Sequence, residues 1–428
     1  MVPRFQVGVK SKAGRASMTG VRSSRGWPHQ RTAMLLPLRG AVVYSRVATS
    51  MPDAIPDRSW QVSRAALLAP AVAGAVLVAL LGGAEIASRC TAVRAALHAP
   101  SVGSPSRRFE LQLDSLQRYA ASASPDCIVL GNSAALMGID PDALNAGYRT
   151  RTDNGLRCFN FGVAGLTASA AAAVAPMLID RYHPWLLLYV VSPRDLGESV
   201  DGPLLANMSW LQYRHGKFSL SGWLTEHSAA FRYWLLYRQW LDPLRWPAAA
   251  SPAGTTPAGY FPVETRLPLS PELWTFTQQS YARIASQPLS QPEFDGFTGV
   301  LEVAGKGAQV VVIEAPMHPR LGRWARHSSR FHDEAIAGMR RATRQRRVTF
   351  WHAPVWRIIP SDGWADFFHL NPRGAARFSD WLGGRIALAV QAGRLRRCTH
   401  TAYQLHPVTA AVRSEFALRC PAGRRGFP

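Results

Sequence analysis

The chain has 428 residues, a formal charge of +22 and 47% hydrophobic residues. That length allows one large domain with its own core plus terminal extensions. Most of the charge lies at the ends: residues 1–64 carry an excess of nine positive charges and residues 394–428 an excess of six. A nucleic-acid site usually has a basic face on a folded domain, together with aromatic residues or a recognised motif. Charge confined to the ends of the chain does not form such a face. We therefore expect no nucleic-acid partner.

The cysteines show no spacing typical of a metal site. The chain has five, and none forms a CxxC pair or a Cys/His cluster. They are Cys90, Cys127, Cys158, Cys398 and Cys420. The sequence therefore predicts no metal and no cofactor.

The N-terminal segment 1–64 is rich in Arg, Ser and Gly and has no sustained hydrophobic periodicity. We expect it to be basic and disordered. Met51 begins a compact stretch directly before an apolar run. This order suggests that Met51 is the initiator and that residues 1–50 are not translated. N-terminal sequencing of the native protein that began before Met51 would contradict this.

Residues 65–84 read AALLAPAVAGAVLVALLGGA, an uncharged run long enough for a helix to cross a bilayer. Arg58 and Arg64 precede the run, so the positive-inside rule keeps the N-terminus cytoplasmic and places the rest outside, in the periplasm. A cleaved signal peptide would have a shorter apolar region and a small-residue cleavage site. A buried soluble helix would show a polar face. The run favours an uncleaved single-pass anchor in the cytoplasmic membrane.

After a linker or helical stalk over 85–124, short apolar runs alternate with helical stretches from about residue 125 to 393, as in a parallel α/β sheet. We predict strands at 127–130, 158–161, 186–191, 309–314 and 348–352, and helices at 167–181, 328–345 and 372–390. Cys127 and Cys158 head the first two strands. Adjacent parallel strands hold disulfides poorly, which favours two buried free thiols over a disulfide.

The alternation fails between residues 197 and 296, which we interpret as an insertion packed over the carboxyl-terminal edge of the sheet. Many Trp and Tyr residues in it indicate core or lid packing, with sugar or lipid binding as the alternative. They are Trp210, Tyr213, Trp223, Tyr233, Trp234, Tyr237, Trp240 and Trp246. The basic tail 394–428 is aperiodic, and we expect it to be disordered.

Three polar segments follow predicted strands or precede the last helix. They are GNS at 131–133, NFGVAGLT at 160–167 and DFFHL at 366–370. A serine hydroxyl needs a base to become a nucleophile, and a histidine base needs a carboxylate to fix its tautomer. Ser133, His369 and Asp366 supply these three groups. The amides of Ser133 and Gly165 are candidate donors to an oxyanion.

These segments resemble blocks I, II and V of the SGNH/GDSL hydrolase superfamily, over about residues 125–390. The resemblance implies a flavodoxin-like three-layer fold with five parallel strands, and ester hydrolysis or acyl transfer as the chemistry. It places the nucleophile on Ser133, an oxyanion glycine on Gly165, and the acid and base on Asp366 and His369. Asn132 stands where the family has Asp, and we count it as a substrate contact.

Block III departs from the family pattern, because SPRDL at 192–196 puts Arg194 where an oxyanion Asn would sit. Arg194 is a candidate oxyanion or substrate donor, or else a partner of Asp195 or Asp180. His318 is a candidate substrate contact, with a structural role as the alternative. Asp362 is a less well-spaced alternative to Asp366.

The block III pattern and the N-terminal anchor look more like membrane-tethered SGNH proteins of envelope polymers. Examples are the D-alanyl-transfer protein of teichoic-acid modification and polysaccharide O-acetylation proteins. The resemblance implies an acylated polysaccharide or lipid as substrate and a membrane-bound O-acyltransferase as partner. The alternative is an inactive scaffold or glycan-binding protein, which the missing Asn favours and the complete Ser/Asp/His set opposes.

Overall fold

The structure is a computed structural model that describes residues 64–97, 100–104, 106–197, 207–240, 254–264, 270–304 and 306–397. The proposed start at Met51, the basic segment up to residue 63 and the tail beyond Arg397 lie outside the described residues. Those three predictions therefore stay predictions.

The core is a five-stranded parallel sheet. Its strands are β1 (Cys127–Gly131), β2 (Cys158–Gly162), β3 (Leu186–Val191), β4 (Gln309–Glu314) and β5 (Thr349–Trp351). Their order is β2-β1-β3-β4-β5, and every neighbouring pair is parallel. This is the flavodoxin-like, doubly wound order. The predicted fold class is confirmed, and the five predicted strands match within one or two residues at each end.

Helices cover both faces of the sheet. In chain order they are α1 (Arg64–Arg89), α2 (Thr91–Ala96), α3 (Arg107–Ser122), α4 (Ser133–Gly138), α5 (Pro141–Arg149), α6 (Ala168–Tyr182), α7 (Ser209–Arg214), α8 (Leu220–His227), α9 (Ala229–Trp240), α10 (Pro271–Ala285), α11 (Gln291–Glu302), α12 (Pro319–Ser328), α13 (Phe331–Gln345), α14 (Val355–Ile358) and α15 (Pro372–Gln391). The apolar residues of α3, α6, α11 and α13 form one buried cluster with one face of the sheet. Those of α5 and α15 form the second, on the other face. The arrangement is three layers, because continuously apolar strands need cover on both sides.

The start of α15 shows how local sequence fixes an element. Asn371 is the N-cap, its side-chain oxygen accepts from the amide of Gly374 at 3.1 Å, and Pro372 occupies the first helical position. Both residues are favoured at these positions. This cap orients the loop that immediately precedes it, which carries Asp366 and His369.

The domain begins earlier than the predicted boundary at residue 125, because α3 is part of the core. Phe109 and Leu113 are fully buried against the sheet. The side-chain amide of Gln112 donates to the carbonyl oxygens of Gly162 at 2.8 Å and Gly259 at 3.0 Å. Helix α3, in the stretch predicted to be a stalk, therefore covers β2. β2 is an edge strand, and its unpaired backbone N–H and C=O groups need hydrogen-bond partners.

The insertion is divided between two places. Trp210 of α7 is buried in the same cluster as α6, on one face of the sheet. Helix α10 instead reaches the carboxyl-terminal edge, where Trp274 packs against Phe367 with ring centroids 4.9 Å apart. Part of the described insertion therefore lies at the predicted edge, and Trp210 packs instead in the helical layer.

Helix α1 contains a stretch, Leu68–Arg89, that is long and apolar enough to cross a membrane by length and composition, with a mean hydropathy of 1.9. Its apolar side chains are largely exposed. Its end is fixed to α9: Glu85 accepts hydrogen bonds from the amides of Ala229 at 3.0 Å and Ala230 at 3.1 Å and from Ser228 Oγ at 2.7 Å. A carboxylate is well placed there, since the first amides of a helix have no partner within the helix.

The two strand-heading cysteines are direct partners across β1 and β2. Cys127 and Cys158 are in register, buried, and present as free thiols. Burial and the neighbouring thiol raise the pKa of Cys158 well above its ordinary value. Two buried free thiols among apolar neighbours behave as small hydrophobic core residues.

Candidate active site

Ser133 lies at a tight strand-to-helix turn. β1 ends at Gly131, and Asn132 caps α4 by accepting from the amide of Ala134 at 2.7 Å. The turn is held from the next strand, where a Cβ on Gly162 would lie 2.3 Å from the amide nitrogen of Leu136. Only glycine permits this approach. The sequence therefore sets Ser133 at the carboxyl-terminal edge of β1, beside β2.

The serine, histidine and carboxylate form one hydrogen-bonded chain. Ser133 Oγ lies 2.9 Å from His369 Nε2, although the two residues are 236 positions apart. His369 Nδ1 lies 2.7 Å from Asp366 Oδ2. This is the connectivity of a catalytic triad, in which the carboxylate fixes the imidazole tautomer and leaves Nε2 free to take the serine proton.

Asp366 is held in place by its own loop. Its Oδ1 accepts from the amides of Phe368 at 2.7 Å and His369 at 2.8 Å. Burial opposes the negative charge, but the hydrogen bonds from His369 and Phe368 outweigh it and lower the pKa of Asp366 below its ordinary value. The carboxylate is therefore charged at neutral pH and available to stabilise an imidazolium.

The alternative acid, Asp362, has a different partner. Its carboxylate pairs with Arg373, and its backbone oxygen accepts from Asn371 at 2.6 Å. Asp362 thus helps to fix the entry of α15. The structure places Asp366, and not Asp362, on His369.

His318 lies behind the catalytic loop. Its amide donates to the carbonyl of Phe367 at 3.1 Å, and its ring packs edge-on against Phe367 and Trp364, with both centroid distances 5.2 Å. Burial, together with Arg320 and Arg323, lowers the pKa of His318. A neutral ring that supports Phe367 is the arrangement expected of a structural histidine.

The turn after β2 lies beside the nucleophile. The amide of Val163 donates to Gly131 at 2.9 Å, and Leu166 closes a four-residue turn by donating to Val163 at 2.9 Å. Gly165 has φ of 84°, the conformation that a type II turn needs at its third position. In the described part of the chain, neither the amide of Ser133 nor that of Gly165 donates to a protein group. Both donors remain available to an oxyanion.

Asp195 and Asn132 connect the block III segment to the nucleophile turn. Asn132 Nδ2 donates to Asp195 Oδ1 at 2.5 Å, and Asp195 Oδ2 accepts from the amide of Ser192 at 2.8 Å. Burial raises the pKa of Asp195 to about 6, against these hydrogen bonds and the charge of Arg194. Asn132 was predicted to contact substrate. Its side-chain oxygen accepts from Ala134 and its side-chain nitrogen donates to Asp195, so Asn132 positions the turn that carries Ser133.

Arg194 points to the catalytic loop. Its guanidinium carbon lies 4.3 Å from the centroid of Phe368, the residue directly before His369. The ion pairs among the described residues do not include Arg194 with Asp195 or Asp180. The cation is therefore held by an aromatic face and keeps donors free.

The sequence suggested Asp195 only as a partner of Arg194 and not as a support for Asn132. Its bond to Ser192 has a local signal, since Ser followed three residues later by an acidic residue is a helix-start pattern. The bond to Asn132 joins residues 63 positions apart and has no local signal. Within the described residues, no group of three His, Cys, Asp or Glu side chains could hold a metal.

No protein-family model and no curated protein sequence matches the chain. Solved structures do match. The structure described as TesA is 13% identical to this chain. The match covers 62% of this chain and 96% of TesA, with a TM-score of 0.29. A lipase/acylhydrolase from Enterococcus faecalis is 12% identical, with 64% of this chain covering 99% of it and a TM-score of 0.32. A carbohydrate acetylesterase family member from Sinorhizobium meliloti is 8% identical, with coverages of 62% and 99% and a TM-score of 0.27. The fold assignment rests on the strand order of the chain itself.

Proposed function

We propose that this protein is a serine O-acyl esterase or O-acyltransferase that forms an acyl-enzyme on Ser133. The observation that carries the proposal is the continuous chain Ser133 Oγ–His369 Nε2 at 2.9 Å and His369 Nδ1–Asp366 at 2.7 Å. Ser133 and His369 are each only partly buried, so an ester in solvent has access to them.

In the first half-reaction, Ser133 Oγ attacks the ester carbonyl carbon while His369 Nε2 takes the hydroxyl proton. The charge on the carbonyl oxygen is met by the amides of Ser133 and Gly165, with Arg194 as a third donor in place of an asparagine. His369 then gives its proton to the departing alcohol, which leaves the acyl group on Ser133. Asp366 stays ionised and stabilises the imidazolium.

In the second half-reaction, His369 takes a proton from the incoming hydroxyl group, which attacks the acyl-enzyme. Water as acceptor gives hydrolysis, and a sugar or lipid hydroxyl gives acyl transfer. The proton returns to Ser133 Oγ as the carbon–oxygen bond breaks. The same residues serve both outcomes, since the acceptor alone distinguishes them.

We place the enzyme in the cytoplasmic membrane with its catalytic domain in the periplasm and an envelope glycan or lipid as substrate. Support comes from the exposed apolar helix α1 and from the Arg-rich segment before it. An anchor raises the effective concentration of an enzyme near a membrane-bound partner. A membrane-bound O-acyltransferase that delivers acyl groups across the bilayer is the partner we propose.

The test is labelling of the full chain, in detergent, with a fluorophosphonate probe that reacts with activated serines. We expect labelling of the wild type and none of Ser133→Ala, whereas Ser122→Ala, a change on the outside of α3, should label fully. Circular dichroism confirms that each variant is folded. Labelling that persists in Ser133→Ala would contradict the proposal.

The second candidate is a catalytically inactive scaffold or glycan-binding protein. The observation that favours it is Arg194 in the place of the block III asparagine, since one missing oxyanion donor costs about 100–1000-fold in rate. A wild-type protein that is folded, binds glycan and shows no labelling and no hydrolysis of p-nitrophenyl acetate would favour this candidate.

A further inference from the structure

A cavity of about 370 Å³ opens at the carboxyl-terminal edge of the sheet, beyond the catalytic triad. Its floor is formed by Glu314, the last residue of β4, and by His352 and Ala353, which follow β5. Doubly wound sheets bind ligands along this edge, and the volume lies within the range of small-molecule sites. None of the three triad residues lines the cavity.

One wall is basic. Arg323 and Arg326 are three positions apart on α12, so they project from the same side of the helix. A Cβ on Gly322 would lie 3.7 Å from Arg326 Nη1 and 4.0 Å from Met317 Sδ. These distances show that the Arg326 side chain folds back over the helix. In the described part of the chain, neither guanidinium has an ion-pair partner.

The acidic group in the cavity is already paired. Glu314 Oε2 lies 2.5 Å from His352 Nδ1, and this hydrogen bond raises the pKa of His352. His332, which also lines the cavity, lies 3.1 Å from the hydroxyl of Tyr281, and burial lowers its pKa. The cavity therefore has a net positive charge from its two arginines.

The rim offers an aromatic surface. Trp356 on α14 lines the cavity and is 65% exposed, a large value for an indole. A flat exposed ring beside polar groups can bind the apolar face of a sugar, while guanidinium forks bind carboxylate or phosphate in a bidentate manner. Both features line the same cavity.

The cavity is close enough to the triad to act on the same substrate. β4 is two strands from β1, a separation of about 10 Å. The wall between them is aromatic: Tyr281, which contacts His332 of the cavity, stacks on Phe368 beside the catalytic histidine, with centroids 6.5 Å apart. An oligosaccharide can reach both sites, whereas a single sugar cannot.

We infer that the cavity is a subsite for a negatively charged sugar, carrying a carboxylate or a phosphate, within a longer glycan whose ester reaches Ser133. Arg323 and Arg326 bind the anionic group, and Trp356 stacks on the ring. The role as a substrate subsite rests on the proposed function. The binding of the anionic sugar does not, and it is tested without catalysis.

The experiment measures binding by calorimetry on the full chain in detergent, with Ser133→Ala so that no ester chemistry interferes. The probes are a tetrasaccharide of alternating glucuronate and N-acetylglucosamine, and neutral chitotetraose as its matched control. We expect the acidic tetrasaccharide to bind about tenfold or more tightly than the neutral one. Equal binding of the two probes would overturn the inference.

The variants locate the site. The double change Arg323→Gln and Arg326→Gln should weaken binding of the acidic probe about tenfold or more and leave chitotetraose binding unchanged, and Trp356→Ala should weaken both probes. The matched control, Arg330→Gln with Arg341→Gln, removes two exposed arginines that do not line the cavity and should have no effect. An equal loss in the control would show a general charge effect and would refute the subsite. Full competition by inorganic phosphate at the same concentration would refute the sugar assignment.

Fluorophosphonate labelling separates this inference from the proposed function. The two properties are measured separately, because the fluorophosphonate reacts at Ser133 whereas tetrasaccharide binding is measured with Ser133→Ala. An unlabelled wild-type protein that still prefers the acidic tetrasaccharide would refute the esterase proposal and retain the anionic-sugar site.

Discussion

Two regions of one sheet edge differ in how their polar groups are satisfied. At β1 and β3, Ser133, His369 and Asp366 bond to one another, and Asn132 bonds to Asp195. At β4 and β5, the guanidinium groups of Arg323 and Arg326 line an open cavity and have no ion-pair partner among the described residues. Groups that bond to one another are fixed in place for chemistry, whereas unpaired charges beside a cavity are available to a ligand. The difference suggests that the first region reacts and the second region binds.

The sharpest test of the first region is the orientation of the histidine. We expect Asp366→Asn to lower kcat for p-nitrophenyl acetate by about 10⁴-fold with little change in KM, because the wrong imidazole tautomer is then favoured. The matched control is Asp362→Asn, which loses the pair to Arg373 and should retain activity within about twofold. Similar losses from both variants would mean that the loop, and not the Asp366–His369 bond, sets the rate.

Arg194 lies at the border between the two regions, so its kinetic effect assigns it to one of them. If it stabilises the oxyanion, Arg194→Met should lower kcat about 100-fold and leave KM nearly unchanged. Arg194→Lys should restore part of the rate, and Arg181→Met, a distant change on α6, should have no effect. A rise in KM for an anionic glycan, with normal kcat for a neutral ester, would instead assign Arg194 to binding.

The smallest expected effect concerns Asp195, whose pKa is raised to about 6. A carboxyl with a raised pKa in the folded state keeps its proton after the unfolded chain has lost it, so its contribution to stability falls as pH rises from 4 to 6. Relative to Asp195→Asn, the free energy of unfolding of the wild type should fall by about 1–2 kcal/mol between pH 4 and pH 6 and stay constant above pH 6. This figure is reduced because Asp195 is partly exposed. Urea unfolding at pH 4, 5, 6 and 7 measures the difference. A wild-type advantage that grows with pH would show that Asp195 is stabilised as an anion.

The three residues of the Ser133–His369–Asp366 chain were predicted from sequence, and the residues that hold them in place were not. Ser133, Asp366 and His369 follow from short segments at strand ends, because a parallel sheet brings its carboxyl-terminal ends to one edge. The strands could be predicted because continuous apolar runs such as 186–191 and 310–313 are typical of strands covered on both faces.

What sequence reasoning missed depends on contacts between distant residues. Helix α3 looks like a polar amphipathic stalk until Gln112 is seen to bond to Gly162 and Gly259, 50 and 147 positions away. Asn132 looks like a ligand-facing amide until Asp195 is placed beside it. The basic cavity has no local signal for the same reason, since Arg323 and Arg326 are ordinary helix-surface residues until His352 and Trp356 are brought to the same cavity.

The carboxylate of Glu85, which holds the first turn of α9, has a consequence for how the domain would be held above a bilayer. A flexible connector would let the domain sample many heights and tilts above a bilayer, with a reach set by connector length. The hydrogen bonds at this joint instead make α1 a stem that continues into the body, with Arg89 adding a bond to the carbonyl of His227 at 3.0 Å. If α1 spans the bilayer, the sheet edge that carries Ser133 is held at one distance from the membrane surface, and the proposed activity would be confined to groups at that distance.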